Sequence, residues 1–463
     1  MSEERPQSRR FLLAAGTAIF VVFVTRSLAF PHSWWLRVEP LLGLAIGNLD
    51  PLAGHPPAPG FPLYLQLARM MMFKAETPFV ALVVAAFLSS VAATALLAAA
   101  FWRISRDAVA GALAALLLFM TPAMLVFSST PAPEASALMF IAIALNAAAK
   151  LLSDEAKSWR TAALLGAGVA GTVGCQPEWA LPAMLVLLAP LLAPPARRLI
   201  LIAVLTFAAG TALAFASLSN ALGGPVALLR WTGLAAPGGA GTEAVAVSAV
   251  LDAFGPSWLA IPIAVLALGG LVAALRSRET LLLLVVAPAV LNVLVVSWRG
   301  SVREPVLALL LAIVALSLLA IRGLTELGAR TGQPWIRIAV MAAFCLFSWV
   351  WVSPLLLARL KTAPPPSKAA IWIDDKIAPG AVVLVAGELM PHASALITKG
   401  RLVALEDASS DRSLAWYALI PGESTEAGAV VFSWPESEPL RRLADSRYRI
   451  VSVVPIHPQA PAR

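Results

Sequence analysis

Long apolar runs, broken by short polar stretches, set the rhythm of this chain. The runs fall near residues 11–30, 78–101, 107–127, 135–152, 160–174, 178–195, 199–218, 251–274, 280–297, 304–321 and 338–358. Each is near the length of about 20 residues that an α-helix needs to cross a bilayer core, with 160–174 the shortest. The pattern predicts an all-α polytopic membrane protein of about eleven transmembrane helices. The interruptions carry the rest of the information. Residues 31–77 are too apolar for an ordinary loop and too broken for a span, which predicts helices lying in the interface or packed on the bundle top. Residues 220–250 are rich in Gly and Ala and read as a flexible loop. From TAPPPSK onward the pattern changes. SKAAIWIDDKI and EPLRRLADSR read as helices, and AVVLVAG, RLVALED, GAVVFSW and YRIVSVVP as strands. The chain thus divides into a transmembrane domain, 1–360, with a long loop at 31–77, and a small α/β domain, 361–463.

Composition agrees with this division. The chain has 463 residues, 59% hydrophobic and only 13% charged, because charges in hydrocarbon are expensive and are confined to loops and sites. The net charge of +8 does not point to nucleic acid, since the basic residues are scattered in short loops. Taking the loops alternately, one set holds Arg5, Arg9, Arg10, Arg103, Arg106, Lys150, Lys157, Arg160, Arg197, Arg198, Arg276, Arg278, Arg322, Arg330 and Arg337. The other set holds Arg26, Arg37, Arg69, Lys74, Arg230, Arg299 and Arg303. About fifteen against about seven places the first set in the cytoplasm. An odd number of spans then puts the N-terminus inside and the C-terminal domain outside, in a multi-pass protein of the inner (plasma) membrane. FLLAAGTAIFVVFV has no small-residue cleavage site behind it and reads as a retained first span. Cys175 and Cys345 lie in or beside different apolar runs, and make neither a disulfide framework nor a metal signature.

Candidate chemistry lies on the outer side. The first outer segment, RVEPLLGLAIGNLDPLAGHPPAPGFPLYLQLARMMMF, holds Glu39, Asp50 and His55. HPPAPGFP is a stiff, non-helical corner, because each proline fixes φ and removes a backbone donor. Such a corner can fix a carboxylate at the membrane surface, as a general base requires; the other reading is a turn with solvated acids. Glu134 opens a span from the outer side, and either caps it or faces an outer cavity. Glu178 at the next outer corner reads as a cap. Arg299 and Arg303 share a face if helical, and suit a phosphate or pyrophosphate headgroup unless they are simply solvated. In the C-terminal region Asp374, Asp375, Glu388, His392 and Glu406 show no metal-ligand spacing. No phosphate-binding loop, dinucleotide fingerprint or nucleophile elbow is present.

GHPPAPGFPLYLQLAR resembles the HPPG-[FY]-PLY signature of the membrane proteins grouped as domain-of-unknown-function family 2723. These are similar to protein O-mannosyltransferases and fall in the GT-C superfamily. In that family an acidic D-x-GE motif precedes the His-Pro-Pro, at a spacing that Glu39 matches here and Asp50 does not. The GE pair is replaced by Pro40, Leu41 and Leu42, and Ala58 and Pro59 interrupt the His-Pro-Pro-Gly run. PEASAL places Glu134 on the acid of a second family motif, and REPVLALLLAIVAL places Arg303 on the arginine that leads a late core span. The resemblance covers span order over roughly 10–330 and is specific only around GFPLY. It implies an integral-membrane glycosyltransferase that uses a polyprenyl-phosphate-linked sugar to glycosylate a protein, lipid or glycan acceptor outside the cytoplasm. It also implies inverting transfer. In this reading Glu39, with Asp50 as the fallback, is the general base, and His55, Glu134, Arg299 and Arg303 bind the donor. The bilayer and the lipid-linked sugar are the partners. No cofactor is implied, and metal dependence is left open.

Two other functions compete: a flippase or transporter of lipid-linked glycans, and a non-catalytic assembly partner. A transporter places ionisable residues or broken spans near the bilayer midplane. Here the acids sit at outer span ends and loops, which favours surface chemistry. A topology reporter fused after Arg463 is expected to be active only outside the cytoplasm. Cytoplasmic activity of that fusion overturns the eleven-span arrangement.

Overall fold

The computed structural model describes residues 4–36, 38–153, 157–232, 243–277, 279–299, 305–407, 415–434 and 449–456. It is mostly helical. α1 (Glu4–Leu28) is followed by two short helices, α2 (Val38–Gly47) and α3 (Pro62–Met71). The bundle continues through α4 (Pro78–Ser105), α5 (Ala108–Phe119), α6 (Pro122–Phe127), α7 (Glu134–Leu152), α8 (Trp159–Cys175), α9 (Ala180–Leu187) and α10 (Ile200–Ala221). α11 (Pro225–Trp231) and α12 (Glu243–Ala253) lead to α13 (Ser257–Arg276), α14 (Leu283–Arg299), α15 (Pro305–Ala308), α16 (Leu310–Arg330) and α17 (Ile336–Lys361). The C-terminal part adds α18 (Pro365–Lys376), β1 (Val382–Val385), α19 (Met390–Leu396), β2 (Arg401–Ala404), β3 (Ala415–Pro421), β4 (Val430–Ser433) and β5 (Ile450–Pro455).

Among the described residues, seven helical stretches are long and apolar enough to cross a membrane: Ser8–Leu28, Pro78–Ser105, Glu134–Leu152, Ala196–Ala221, Ser257–Arg276, Leu310–Arg330 and Ile336–Lys376. The other four apolar runs are also helical but shorter or broken. The run at 107–127 breaks at Thr121–Pro122, where Thr121 accepts from Met124 N at 3.3 Å and restarts the chain as α6. Proline at the first helical position supports such a restart. Exposed Leu12, Leu13, Phe20, Leu201, Leu205 and Leu213 cover the outward faces of α1 and α10, the composition expected of a lipid-facing surface.

Small residues decide how closely the helices approach. Gly270 of α13 and Gly323 of α16 face one another. A Cβ on Gly270 would stand 1.9 Å from the Leu319 carbonyl oxygen, and one on Gly323 would stand 2.0 Å from that of Leu266. Membrane helices gain little from apolar burial against lipid, so close backbone contact across small residues holds them together. Charged contacts tie the same bundle at the end opposite Glu39. Asp107 caps α5 and pairs with Arg337 of α17 at 2.5 Å, and Arg322 of α16 pairs with Glu279 at 2.7 Å.

The loop at 31–77 is helical, as its apolar content predicts: α2 packs on α3 and α4. The flexible loop expected at 220–250 is corrected in part. Gly224, at a φ of 129°, ends one turn, and Pro225 starts the helix that VALLRW continues. EAVAVSAVLDA likewise supplies the residues of α12, while 233–242 lie outside the described residues. In the C-terminal region the helix expected at SKAAIWIDDKI is α18, and the four expected strands are β1, β2, β4 and β5. The expected helix EPLRRLADSR lies outside the described residues. Sequence reading missed β3, which is the centre of the sheet.

The sheet order is β2-β1-β3-β5-β4, with β1 parallel to β2 and β3, and β5 antiparallel to β3 and β4. Strand alternation gives it two buried faces. Val383, Val385, Leu419, Val451 and Val453 pack under Ala370, Ile373 and Ala393 of α18 and α19. Val382, Leu384, Ala418 and Val454 form the other face.

Replacing Gly323 with Leu puts four carbon atoms where the α13 backbone now lies. Overpacking of this kind costs about 1–3 kcal/mol. The expected result is a lower melting temperature in detergent, and an unchanged melting curve overturns the close-contact account.

Candidate active site

The site is built where four elements meet at one end of the bundle: the end of α1, the α5–α6 turn, the start of α2 and the end of α17. Each contributes a polar group that cannot stay buried alone. Arg26, in the last turn of α1, is fully buried. Its Nε donates to Ser128 Oγ at 2.5 Å, its Nη1 to Thr25 Oγ1 at 3.1 Å, and its Nη2 to the Phe119 carbonyl. Arg26 thereby ties the last residue of α5 to the C-cap of α6. Arg359, near the end of α17, grips the same short helix from another side, with Nη1 donating to the Val126 carbonyl at 3.0 Å. Its guanidinium also lies 5.1 Å from the centre of the Trp35 ring, a cation–π arrangement.

Glu39 stands in the first turn of α2, where a carboxylate complements the helix dipole. It is fully buried. Its Oε2 accepts a hydrogen bond from the Trp35 backbone N–H. Its Oε1, and the Nε and Nη2 of Arg359, are buried without a hydrogen-bond partner among the described residues. Burial pushes the Glu39 carboxyl up to about 7 from its ordinary 4.5; the backbone of Trp35 and Leu36 and the charge of Arg359 pull the other way. The far end of α2 is fixed by Arg69, whose guanidinium donates to the Ala45 and Ile46 carbonyls at 2.8 and 3.3 Å. Such capping satisfies last-turn carbonyls that the helix leaves open.

Tyr64 of α3 completes the floor. It is fully buried and its hydroxyl donates to the Leu82 carbonyl at 3.0 Å. Its ionisation is pushed well above the ordinary value by burial, and then by the charges of Glu134 and Glu39. The two acids singled out in the sequence therefore share one neighbourhood. Glu134 is buried in the first turn of α7.

The other sequence candidates fall out as follows. Asp50 and His55 face each other across a two-residue bridge, with their backbone N–H and carbonyl groups exchanging bonds of 2.8 Å. The Asp50 carboxylate accepts from Ala53 N at 3.1 Å and closes the turn between them. The HPPAPGFP corner ends in Gly60 at φ 106° and Phe61 at φ 48°, from which α3 departs. Arg303 lies outside the described residues, and Arg299 is the last residue of α14. Arg69, counted in the sequence among the loop basic residues, is bound to α2. Among the described residues no group of three or more His, Cys, Asp or Glu is placed to hold a metal ion. Cys175 and Cys345 are free.

Sequence reading missed Arg359 and gave Arg26 no role beyond its charge. One signal was present: both arginines stand at span ends that the loop charges assign to the outer side, where the positive-inside bias makes basic residues scarce.

The raised Glu39 value has a stability consequence. The folded chain holds this proton to higher pH than the unfolded chain, so the contribution is fully present below about 4.5 and is lost as pH rises through about 7. Glu39→Gln carries no such proton. Over that window the melting temperature of the unmodified chain is expected to fall relative to Glu39→Gln, and parallel curves count against a buried, proton-holding Glu39.

No protein-family model matches the sequence, and no curated protein does. Solved structures do match. ArnT from Cupriavidus metallidurans bound to undecaprenyl phosphate superposes with a TM-score of 0.62 at 14% identity, covering 98% of this chain and 99% of that one. The arabinofuranosyltransferase AftD from Mycobacteria gives 0.51 at 14% identity over 98% of this chain and 40% of its own. The oligosaccharyltransferase AglB from Archaeoglobus fulgidus, in complex with an inhibitory peptide and a dolichol-phosphate, gives 0.50 at 12% identity over 88% of this chain and 69% of its own. The fold of this chain, helical bundle and C-terminal sheet together, is the one seen in these solved structures.

Proposed function

We propose that the protein is an inverting membrane glycosyltransferase. It takes a sugar from a polyprenyl-phosphate donor and transfers it to a hydroxyl of a protein, lipid or glycan acceptor. The reaction takes place on the extracytoplasmic side of the inner (plasma) membrane. One observation carries this reading: Glu39 and Arg359, both buried, keep a carboxylate oxygen and one edge of a guanidinium without hydrogen bonds among the described residues, in a fold shared with solved glycosyltransferases. Two of the solved relatives of that fold hold undecaprenyl phosphate and dolichol-phosphate.

The chemistry follows from the two groups. A general base works best when its pKa lies near the operating pH, and Glu39 stands at about 7. Its free Oε1 accepts the acceptor's hydroxyl proton as that oxygen attacks the anomeric carbon. The bond from that carbon to the phosphate oxygen breaks, and the polyprenyl phosphate leaves with the electron pair. Attack opposite to the leaving group inverts the centre. The Nε–Nη2 edge of Arg359 is the side of a guanidinium that holds oxyanions at two points, and it faces the charge that develops on the phosphate. Arg299 and Arg303 add basic contacts to the donor, and His55 and Glu134 line its approach. Asp50 ranks behind Glu39 because its carboxylate already closes a turn.

Glu39→Gln keeps the shape and removes the base. Transfer is expected to fall by roughly 100-fold or more, with donor binding kept, while Asp50→Asn stays active. The assay is glycan transfer from polyprenyl-phosphate sugars by the purified chain. Full activity in Glu39→Gln with loss in Asp50→Asn moves the role to Asp50, and full activity in both moves it to Glu134. Absence of transfer from every such donor by the unmodified chain overturns the enzymatic reading.

A further inference from the structure

The C-terminal sheet reaches the candidate site through one side chain. Trp434 follows directly on β4, and its N–H donates to the Arg449 carbonyl at 3.1 Å, so the sheet fixes its backbone. Its ring is not part of either face of the sheet. It is 8% exposed and belongs to the apolar core of the bundle. There it meets the Trp35 ring edge-on, with centres 4.7 Å apart and planes at 64°. The other side of the contact is already described: the Trp35 ring carries the Arg359 guanidinium, and the Trp35 N–H binds Glu39 Oε2.

Trp35 needs outside support. It lies in an irregular stretch between α1 and α2, so no helix or strand fixes its backbone. What holds it is its ring, packed between Arg359 and Trp434. Its neighbour Trp34 is held in the same way: the ring meets Phe79 edge-on at 4.9 Å, and the carbonyl accepts from Ser367 Oγ of α18 at 3.3 Å. α19 packs on α2 itself. The C-terminal region thus touches the site at Trp34, at Trp35 and along the helix that carries Glu39.

We propose that Trp434 is a positioning residue for Glu39: it holds the Trp35 ring against Arg359, and so keeps the Trp35 N–H on the carboxylate and the guanidinium where its charge acts on Glu39. The proposal rests on the catalytic reading of Glu39, and makes the C-terminal sheet a working wall of the site. Trp434 itself touches no reacting atom.

The consequence is electrostatic. The groups that act on Glu39 are Arg359 from α17 and, through Tyr64 of α3, the Glu134 carboxylate of α7; α19, which packs on α2, carries His392, and α4 brings no charged residue before Arg103. Arg359 and the Trp35 N–H both favour the ionised carboxylate. Losing their alignment while the site stays dry raises the pH at which Glu39 ionises.

The test is an infrared pH titration of the full chain in lipid nanodiscs, following the protonated-carboxyl band that Glu39→Gln removes. Trp434→Leu keeps the cover apolar but removes the ring edge, and is expected to shift the midpoint upward by about one pH unit. Trp434→Phe, which keeps an aromatic edge, is expected to titrate with the unmodified chain. An unchanged midpoint in Trp434→Leu overturns the proposal, and so does a downward shift, which marks water reaching the carboxylate. If Trp434→Leu does not fold, Trp434→Met is read by the same two outcomes. The titration needs no substrate. If Glu39→Gln keeps full transfer activity, the catalytic reading falls whatever the titration gives. If Glu39→Gln loses transfer and Trp434→Leu does not shift, the positioning role alone falls.

Discussion

A buried carboxylate and a buried guanidinium set against one aromatic ring are the constraint around which this end of the molecule is built. Taking either charge out of water costs several kcal/mol, about as much as a small domain's entire margin of stability. Each must therefore be held by groups that do not move. Arg359 has the Val126 carbonyl and the face of Trp35, and Glu39 has the Trp35 N–H. Trp35 is common to both, so displacing it would strand two charges at once. Breaking a buried pair is far more damaging than never having formed it.

The surrounding helices read as the means of keeping that arrangement still. α6 is six residues long, too short to be stable in isolation. Arg26 ties its C-cap and the end of α5 to α1, and Arg359 ties its last turn to α17. α17 is in turn held at its other end, where Arg337 meets the cap of α5. α2 is treated alike, with its acid buried at one end and Arg69 on its carbonyls at the other. The two helices that bring Glu39 and Arg359 to the site, α2 and α17, are thus fastened at both ends. Placement to well within an ångström is what proton transfer to a fixed base requires.

The sequence made much of this legible. Runs of about 20 apolar residues have one physical reading in a chain this poor in charge, and the helices follow them. Glu39 stood out for the same reason: an acid in an apolar segment must be doing something. The breaks inside the apolar runs were harder to see. Thr121–Pro122 divides one run into α5 and α6, yet leaves its hydropathy unchanged. Arg359 was hidden because it closes a span whose end looked ordinary, and its partners lie on α6 and in the stretch before α2. β3 was hidden because LAWYALIP mixes Ala and Leu with its strand-forming aromatics, and sheet position, not local preference, decides it. In each case the missing information was a distant partner, and a single sequence carries no direct record of those.

Stability alone does not account for the pair. An apolar side chain of similar volume at each position would be neutral or better for folding, and would leave no orphaned atoms among the described residues. Native proteins leave few buried polar groups unsatisfied, and those that remain call for a reason. At this end of the bundle the unsatisfied atoms among the described residues include an acceptor on Glu39 and a donor edge on Arg359. An incoming hydroxyl can donate to the first, and an oxyanion can accept from the second. Those are the two groups that meet when a sugar leaves a lipid phosphate for an alcohol. In the proposed reaction the cost of burying them is offset when those two groups are bound, because interactions held back from folding are made in the transition state.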